Sequence, residues 1–207
     1  MRNSIILLVF LSFGLIQAQE KYDLYNVIDS VSRERIENDV KTLVNFGTRH
    51  TLSDTLSKSR GIGAARRWIK SEFDNISKDC NGCLDVFYQK NYFEPKDGER
   101  IVKPVWINNV VAIQRSTSHP NRFIIMSGDI DSRVSNPNNF IDDSPGANDN
   151  ATGMAGTIEV ARILSKYTFE NSIIYVGLSG EEQGLFGGKG LAAHAKKEGW
   201  EIIGILN

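Results

Sequence analysis

The segment FIIMSGDIDSR, residues 123–133, places a short apolar run directly before two carboxylates. The run FIIMS has the length and composition of a buried β-strand. Asp129 and Asp131 are two residues apart, so an extended backbone would place both side chains on one face of the chain. Two like charges at a strand end indicate either a solvated turn or a site that holds a cation.

Strand-like and helix-like segments alternate from Phe123 to the last residue. The strand-like runs are FIIMS, SIIYVGLS (172–179) and EIIGILN (201–207), and helical patterns cover 151–167 and a stretch near 185–196. This alternation predicts an α/β fold with a parallel core. Upstream, 84–93 and 102–114 have the pattern of a hairpin, so we expect a mixed, mainly parallel sheet sandwiched between helices.

The N-terminal half is more polar and has apolar residues at helical spacing. We expect one or two amphipathic helices over 22–46, a loop over 47–59 and a helix over 61–77. With 207 residues and 41% hydrophobic content, the chain suits a single domain. Its 24 basic residues balance 25 acidic ones, and no basic cluster is present, which argues against nucleic acid as a partner.

The first 19 residues have the pattern of a signal peptide. Arg2 gives a positive start, an apolar stretch runs from Ile5 to Ile16, and Ala18 is a small residue near a cleavage point. The stretch is shorter than the roughly 20 residues that span a bilayer. We therefore expect an exported protein that has no membrane partner after signal cleavage, with a single uncleaved anchor as the alternative.

The two cysteines, Cys80 and Cys83, are separated by Asn-Gly, a turn-forming pair. In an exported protein this spacing favours a local disulfide across the turn. A thioredoxin-like redox motif is the alternative, although that motif opens a helix inside a βαβ unit and strand-like LDVFYQ follows here.

Acidic residues are expected at the carboxyl ends of the strands, where ligands gather in an open α/β sheet. They are Asp129, Asp131, Asp149, Glu181 and Glu182. Taken singly, Asp149 could cap a helix and the glutamates could interact with a helix dipole. Five carboxylates at one edge repel one another strongly unless a cation lies among them, and Arg133 is the near basic residue in these loops. The combination therefore predicts a divalent metal site.

The segments SPGANDNATGMAGTIEVARIL (144–164) and SIIYVGLSGEEQGLFGGKGLAAHA (172–195) resemble the zinc aminopeptidases of peptidase family M28. The family pattern has Pro-Gly-Ala, an acidic and Asn cluster, Ser/Thr-Gly, a helix, a strand and then Gly-Glu-Glu-Gln/Glu-Gly-Leu. FGTRHT and GIGAARRWI upstream are similar to the family's N-terminal helices. The resemblance implies the zinc-exopeptidase fold, which is of the phosphorylase/hydrolase type.

The resemblance also implies a role for each carboxylate by position. Asp149 matches the carboxylate that bridges two zinc ions, Glu182 a ligand to one zinc, and Glu181 the general base. Asp131 matches the aspartate that orients the metal ligand two residues before it, which is the position of Asp129. A cis peptide bond directly after the bridging aspartate is a further expectation.

Asp129 departs from the family, whose motif at this strand end is Gly-His-x-Asp. An aspartate can still bind zinc, but it adds a negative charge and favours harder ions. We expect two divalent metal ions, which are zinc or, given Asp129, manganese or cobalt. The family's next ligands, an aspartate in Asn-x-Asp and a distant histidine, would lie beyond Asn207. For His50, His119 and His194 we expect surface or capping roles instead of ligation.

The expected function is an exported metal-dependent peptidase, an aminopeptidase that hydrolyses peptide or protein substrates with a hydroxide held by two metals. The chain stops directly after a strand-like run, so we expect 20–207 to be the N-terminal portion of a single M28-like domain, with the C-terminal part missing and this piece inactive by itself. Two alternatives stay open, namely a binding or scaffold homologue without catalysis and a glutaminyl-cyclase-like acyltransferase on the same fold. The sequence does not determine the oligomeric state.

Overall fold

A computed structural model describes residues 24–96 and 100–207, so the expected signal peptide lies outside the described residues. The strands of this part form one sheet in the order β1-β2-β4-β3-β5. Their bounds are β1 Leu84–Phe93, β2 Val105–Gln114, β3 His119–Asp129, β4 Asn171–Leu178 and β5 Glu201–Leu206. β1 and β2 form the predicted hairpin, and β2 is also antiparallel to β4. β3 runs parallel to both β4 and β5, which confirms the mixed sheet with a parallel core.

Helices cover both faces of the sheet. They are α1 Leu24–Asp29, α2 Arg33–Asn45, α3 Gly61–Asp79, α4 Thr152–Leu164 and α5 Phe186–Glu198. One face packs against α2, α3 and α4, and Val110 and Ala112 of β2 belong to that core. The neighbouring Val111 and Ile113 belong to the other core, beneath α5. Successive β2 residues thus point to opposite faces, as the period of a strand requires.

Two glycines bring the start of α4 against the end of β3. A Cβ atom added to Gly128 would lie 2.6 Å from the carbonyl carbon of Gly153 and 2.6 Å from the backbone nitrogen of Met154. Such a distance excludes any side chain at Gly128, because real Cβ atoms do not approach backbone so closely. The close packing places the turn before α4, a π-helical segment Ala147–Ala151, beside the end of β3.

The cysteine pair is bonded as a local disulfide between Cys80 and Cys83, at the end of α3. The Cα atoms of the two residues are 5.5 Å apart. The disulfide prediction is therefore confirmed, and strand β1 begins directly after it at Leu84. Within 24–96 and 100–207, no helix is both long enough and apolar enough to cross a membrane.

Candidate functional site

The parallel pairing of β3 and β4 brings two of the predicted loops to the same edge of the sheet. Asp129, the last residue of β3, lies opposite Leu178, the last residue of β4. The N–H of Ile130 donates to the carbonyl of Leu178 at 2.7 Å, which extends the pairing one residue further. The segments GDIDSR and SGEEQG therefore leave the sheet side by side.

Asp131 holds the loop that carries the two glutamates. Its Oδ1 accepts hydrogen bonds from the backbone N–H groups of Gly180 at 2.9 Å and Glu181 at 3.2 Å. Its Oδ2 accepts from the N–H of Glu182 at 3.1 Å and from the hydroxyl of Thr51 at 3.0 Å. The residue is only 1% exposed. Burial raises the pKa of Asp131, and these hydrogen bonds oppose that rise.

Asp129 lies in a more open position than Asp131, although it is still only 7% exposed. The Asn150 amide nitrogen lies 3.4 Å from its Oδ2. Burial, followed by the charge of Asp131, raises the pKa of Asp129 to about 6. Together with Glu181, Asp129 lines a cavity of about 200 Å³ that also contacts Asn207.

Asp149 lies in the π-helical turn before α4 and is exposed. Its backbone angles and those of Asn150 are not helical, and the peptide bond between the two residues is cis. The cis bond expected from the family resemblance is therefore present. The charge of Asp149 raises the pKa of both Asp129 and Glu181, which places this carboxylate within electrostatic reach of the other two loops.

The two adjacent glutamates have different neighbours. Burial and the charge of Asp131 raise the pKa of Glu181, which has no ion pair in the described part of the chain. Burial also raises the pKa of Glu182, but Arg133 opposes this effect because its Nε lies 2.5 Å from Oε2 of Glu182. Glu182 is thus neutralised by an arginine, whereas the neighbouring carboxylates Asp131, Glu182, Asp129 and Asp149 all raise the pKa of Glu181.

Sequence reasoning did not identify Arg49 as a residue that shapes the site. Arg49 is buried, and its guanidinium donates to the carbonyls of Leu43, Ile130, Pro145 and Gly146 at 2.7 to 3.0 Å. These carbonyls belong to three separate segments, so Arg49 ties the loop after β3 to the turn before α4. An arginine in a polar loop gives no sequence signal for such a role, because its partners are all main-chain atoms.

The expected surface role of His50 is wrong because the residue is fully buried, and its ring instead bonds backbone groups. Its Nδ1 accepts from the N–H of Leu52 at 3.0 Å, so Nε2 carries the proton and donates to the carbonyl of Pro137 at 2.9 Å. The side-chain amide of Gln183 also lies 3.1 Å from Nε2. The side-chain oxygen of Gln183 is buried and has no hydrogen-bond partner among the described residues. If the amide is turned so that this oxygen faces Nε2, the N–H of His50 supplies that partner. His50 therefore joins the GEEQG loop to the loop after β3.

The other two histidines lie away from the acidic loops. His119 is the first residue of β3, at the opposite end of that strand from Asp129. His194 lies on α5, with its ring centroid 5.2 Å from that of Trp200. Both positions are away from the acidic loops, so we assign neither histidine to a metal site there.

The acidic loops have the donor chemistry of a divalent-cation site, and their ligand set is incomplete. Oxygen donors from three loops lie within electrostatic reach of one another, and each raises the pKa of another. Over 24–96 and 100–207, however, no group of three or more His, Cys, Asp or Glu side chains is arranged to hold a metal ion. The residues fit a metal by their chemistry. To bind it, Glu182 would have to give up its ion pair with Arg133.

Solved structures define the class of the fold. The LapA aminopeptidase of Legionella pneumophila superposes with a TM-score of 0.67 over 99% of this chain and 50% of that chain, at 16% sequence identity. A glutaminyl cyclase of Fimbriiglobus ruber gives a TM-score of 0.64 over 84% of this chain and 60% of its own, at 17% identity. At these identities the likeness shows the fold alone. The chain has the α/β fold that zinc exopeptidases and glutaminyl cyclases share.

Sequence comparison identifies the family within that class. Residues 109–207 match the model of peptidase family M28. A probable zinc metalloprotease of Pyrenophora tritici-repentis is 38% identical over 185 residues, which are 89% of this chain and 43% of that protein. One from Leptosphaeria maculans is 40% identical over 197 residues, which are 95% of this chain and 45% of that protein. The chain belongs to family M28 and spans less than half the length of these relatives.

Proposed function

We propose that this protein is a zinc-dependent metallopeptidase that is exported and removes residues from the N-terminus of peptide or protein substrates. The observation that carries the proposal is the arrangement of Asp131, which fixes the backbone of Glu181 and Glu182 so that Glu181 lines the same cavity as Asp129. The names of the curated relatives support zinc and proteolysis. Export rests on the signal-like first 19 residues.

Asp129, Asp149 and Glu182 are the residues that would hold metal, and we propose two divalent ions. Zinc is the first choice, and manganese or cobalt is the alternative because Asp129 replaces a histidine. When bound, the metals would polarise the scissile carbonyl and stabilise the developing negative charge. Asp131 would act as a positioning residue, because its carboxylate accepts hydrogen bonds from Thr51 and from three backbone N–H groups of the glutamate loop.

Glu181 is the proposed general base. Burial and the surrounding carboxylates raise its pKa, which brings the group closer to the range in which it can take up a proton and return it. Its neighbour Glu182 is held by Arg133, so the two side chains are already directed to different tasks. Loss of the carboxylate at Glu181 would remove proton transfer and leave the backbone contacts of Asp131 in place.

The test is hydrolysis of aminoacyl p-nitroanilides, measured on protein of the length of the curated relatives because this chain spans less than half of it. We expect zinc-dependent turnover that Glu181→Gln reduces by about 10³-fold or more, within the range for a proton-transfer residue combined with lost electrostatics. Glu201→Gln on β5 is the matched control and should leave turnover unchanged. Turnover that survives Glu181→Gln would contradict the assignment. For the 207-residue chain alone we expect no substantial turnover.

Two further measurements distinguish the peptidase from the two other functions. The likeness to glutaminyl cyclases favours a second assay, for formation of pyroglutamate from N-terminal glutamine. Cyclisation without release of the aminoacyl group would replace the peptidase proposal by an acyltransferase. Metal analysis after reconstitution addresses the scaffold alternative, which is favoured if less than one equivalent of zinc, manganese or cobalt is retained.

A further inference from the structure

A groove of about 970 Å³ adjoins the acidic loops and takes no part in the proposed peptidase site. It lies between the start of α3, the first residues of β2 and the segment around Phe140. Thr51 lines this groove and also donates its hydroxyl hydrogen bond to Asp131. The groove therefore begins one side chain away from the residue that holds the glutamate loop.

Arg66 on α3 lines this groove and is only 5% exposed. Its Nε donates to the carbonyl of Ile62, one turn earlier, at 3.3 Å. Its two terminal nitrogens have no hydrogen-bond partner in the described part of the chain, and no carboxylate there forms an ion pair with it. Arg49, which is equally buried, has four carbonyl partners. The terminal nitrogens of Arg66 are not among the fully buried atoms that lack a partner, so they are open to the groove, where a bound anion would offset the partial desolvation of the guanidinium.

The other charged side chains of the groove each contact a neighbouring group of the protein. Arg60 pairs with Asp143 at 2.6 Å, and Arg67 donates to the carbonyls of Thr55 and Ser57. Lys103 lies over the ring of Phe140, at 4.3 Å from its centroid. Asp54 is the acidic residue among those that line the groove, and its Oδ1 accepts from backbone N–H groups nearby. The groove is thus positively charged, and Arg66 and Lys103 are its cations whose terminal nitrogens have no acceptor among the described residues.

The lining of the groove also offers exposed aromatic surface. Trp106 is 56% exposed and Tyr92 49% exposed, with their ring centroids 5.1 Å apart, and both line the groove. An anion at Arg66 and an apolar group on the rings are the two features that a ligand would need.

We propose that this groove binds a peptide through a carboxylate at Arg66, with an apolar side chain on Tyr92 and Trp106. A carboxylate accepts two parallel hydrogen bonds from a guanidinium, which matches the two free terminal nitrogens of Arg66. The proposal needs no metal and no hydrolysis, so it does not depend on the proposed peptidase activity. It predicts a binding site for acidic or C-terminal carboxylates beside the acidic loops.

The test is isothermal titration calorimetry with the full 207-residue chain and three probes. N-acetyl-phenylalanine presents a terminal carboxylate, N-acetyl-glutamate α-amide presents a side-chain carboxylate, and N-acetyl-phenylalanine amide is the neutral control. We expect at least one of the two acids to bind tenfold or more tightly than the neutral amide, and the better acid identifies the source of the carboxylate. Equal affinity for all three probes, or no binding of either acid, would overturn the proposal.

Variants assign the binding to the groove. Arg66→Gln should reduce the affinity for the better acid at least tenfold, whereas Arg122→Gln, at the far end of β3, removes the same charge and should not. Circular dichroism establishes that each variant is folded. If Arg66→Gln does not fold, Arg66→Lys and Trp106→Ala replace it, and each should weaken binding several-fold. Acid binding that is unchanged in every folded groove variant would place the site elsewhere and reject the assignment.

Discussion

The Asp131 carboxylate accepts the backbone N–H of Glu182 at 3.1 Å, although the two residues are 51 positions apart in the chain. Two further N–H groups of the same loop donate to Asp131, so one buried side chain satisfies three consecutive backbone donors. Backbone N–H groups that are buried without a partner are costly. The conformation of the glutamate loop therefore depends on the negative charge of Asp131, which follows the neighbouring strand β3.

Asp131→Asn should lower the free energy of unfolding by about 2 to 3 kcal/mol, because an amide nitrogen would face backbone donors that now meet a carboxylate. Urea unfolding followed by circular dichroism measures the loss. Thr51→Val removes one hydrogen bond to the same carboxylate and should cost about 1 kcal/mol. A larger effect for Thr51→Val than for Asp131→Asn would show that the backbone contacts matter less than the hydroxyl.

A second buried carboxylate, Glu159 on α4, should make stability depend on pH. Its side chain accepts from Arg35 at 2.6 Å and 2.9 Å and from the N–H of Ser32 at 2.8 Å. Burial opposes ionisation, but these hydrogen bonds outweigh it and lower the pKa of Glu159 below the ordinary value of 4.5. The stabilising effect is thus fully present above pH 4.5 and is lost as the pH falls through the lower value of the folded state.

Glu159→Gln should reduce the free energy of unfolding by about 3 kcal/mol at pH 7, since the arginines would lose a buried partner. The difference from the unaltered protein should shrink below pH 4.5, which urea titrations at several pH values would measure. Glu201→Gln removes an exposed ion pair with Arg122 and should cost at most about 1 kcal/mol. A difference for Glu159→Gln that grows as the pH falls would contradict the assigned direction.

Gly63 should not tolerate alanine, despite its position in α3. A Cβ atom there would lie 2.2 Å from the carbonyl oxygen of Thr55, which is backbone and cannot move aside cheaply. We expect Gly63→Ala to cost about 1 to 3 kcal/mol through overpacking. Gly156→Ala in α4 is the control, because nothing lies within 4 Å of its added Cβ, and it should stabilise by about 0.5 to 1 kcal/mol. Thermal unfolding of both variants gives the comparison, and equal effects would refute it.

The Cys80–Cys83 disulfide should stabilise the fold less than a bridge across a long loop would, since its sequence separation is only 3. A loop of this size restricts the unfolded chain by about 2 kcal/mol in the chain-entropy description. The double variant Cys80→Ser, Cys83→Ser should therefore remain folded, with a lower unfolding midpoint in urea. Complete loss of structure would mean that the bridge holds the junction of α3 and β1 for another reason.

The helices and strands were predictable because each depends on a local repeat. The apolar alternation after Phe123, the helical spacing in 61–77 and the turn between the cysteines all involve neighbours in sequence. The convergence of the acidic loops was also predictable, because carboxyl ends of parallel strands meet at one edge of a sheet. The actual strand extends from His119 to Asp129, longer than FIIMS, because pairing with β4 and β5 orders its polar ends.

The α/β class, the family and the identity of the acidic residues could all be inferred from the sequence, since they follow from periodicity and from short motifs. The tertiary structure was needed to show that Arg133 neutralises Glu182, that Arg49 and His50 tie the loops together, and that the terminal nitrogens of Arg66 have no acceptor among the described residues. Each of these contacts joins residues distant in the chain or depends on main-chain atoms. A local sequence pattern does not predict such contacts, because the packing of the whole domain determines which groups meet.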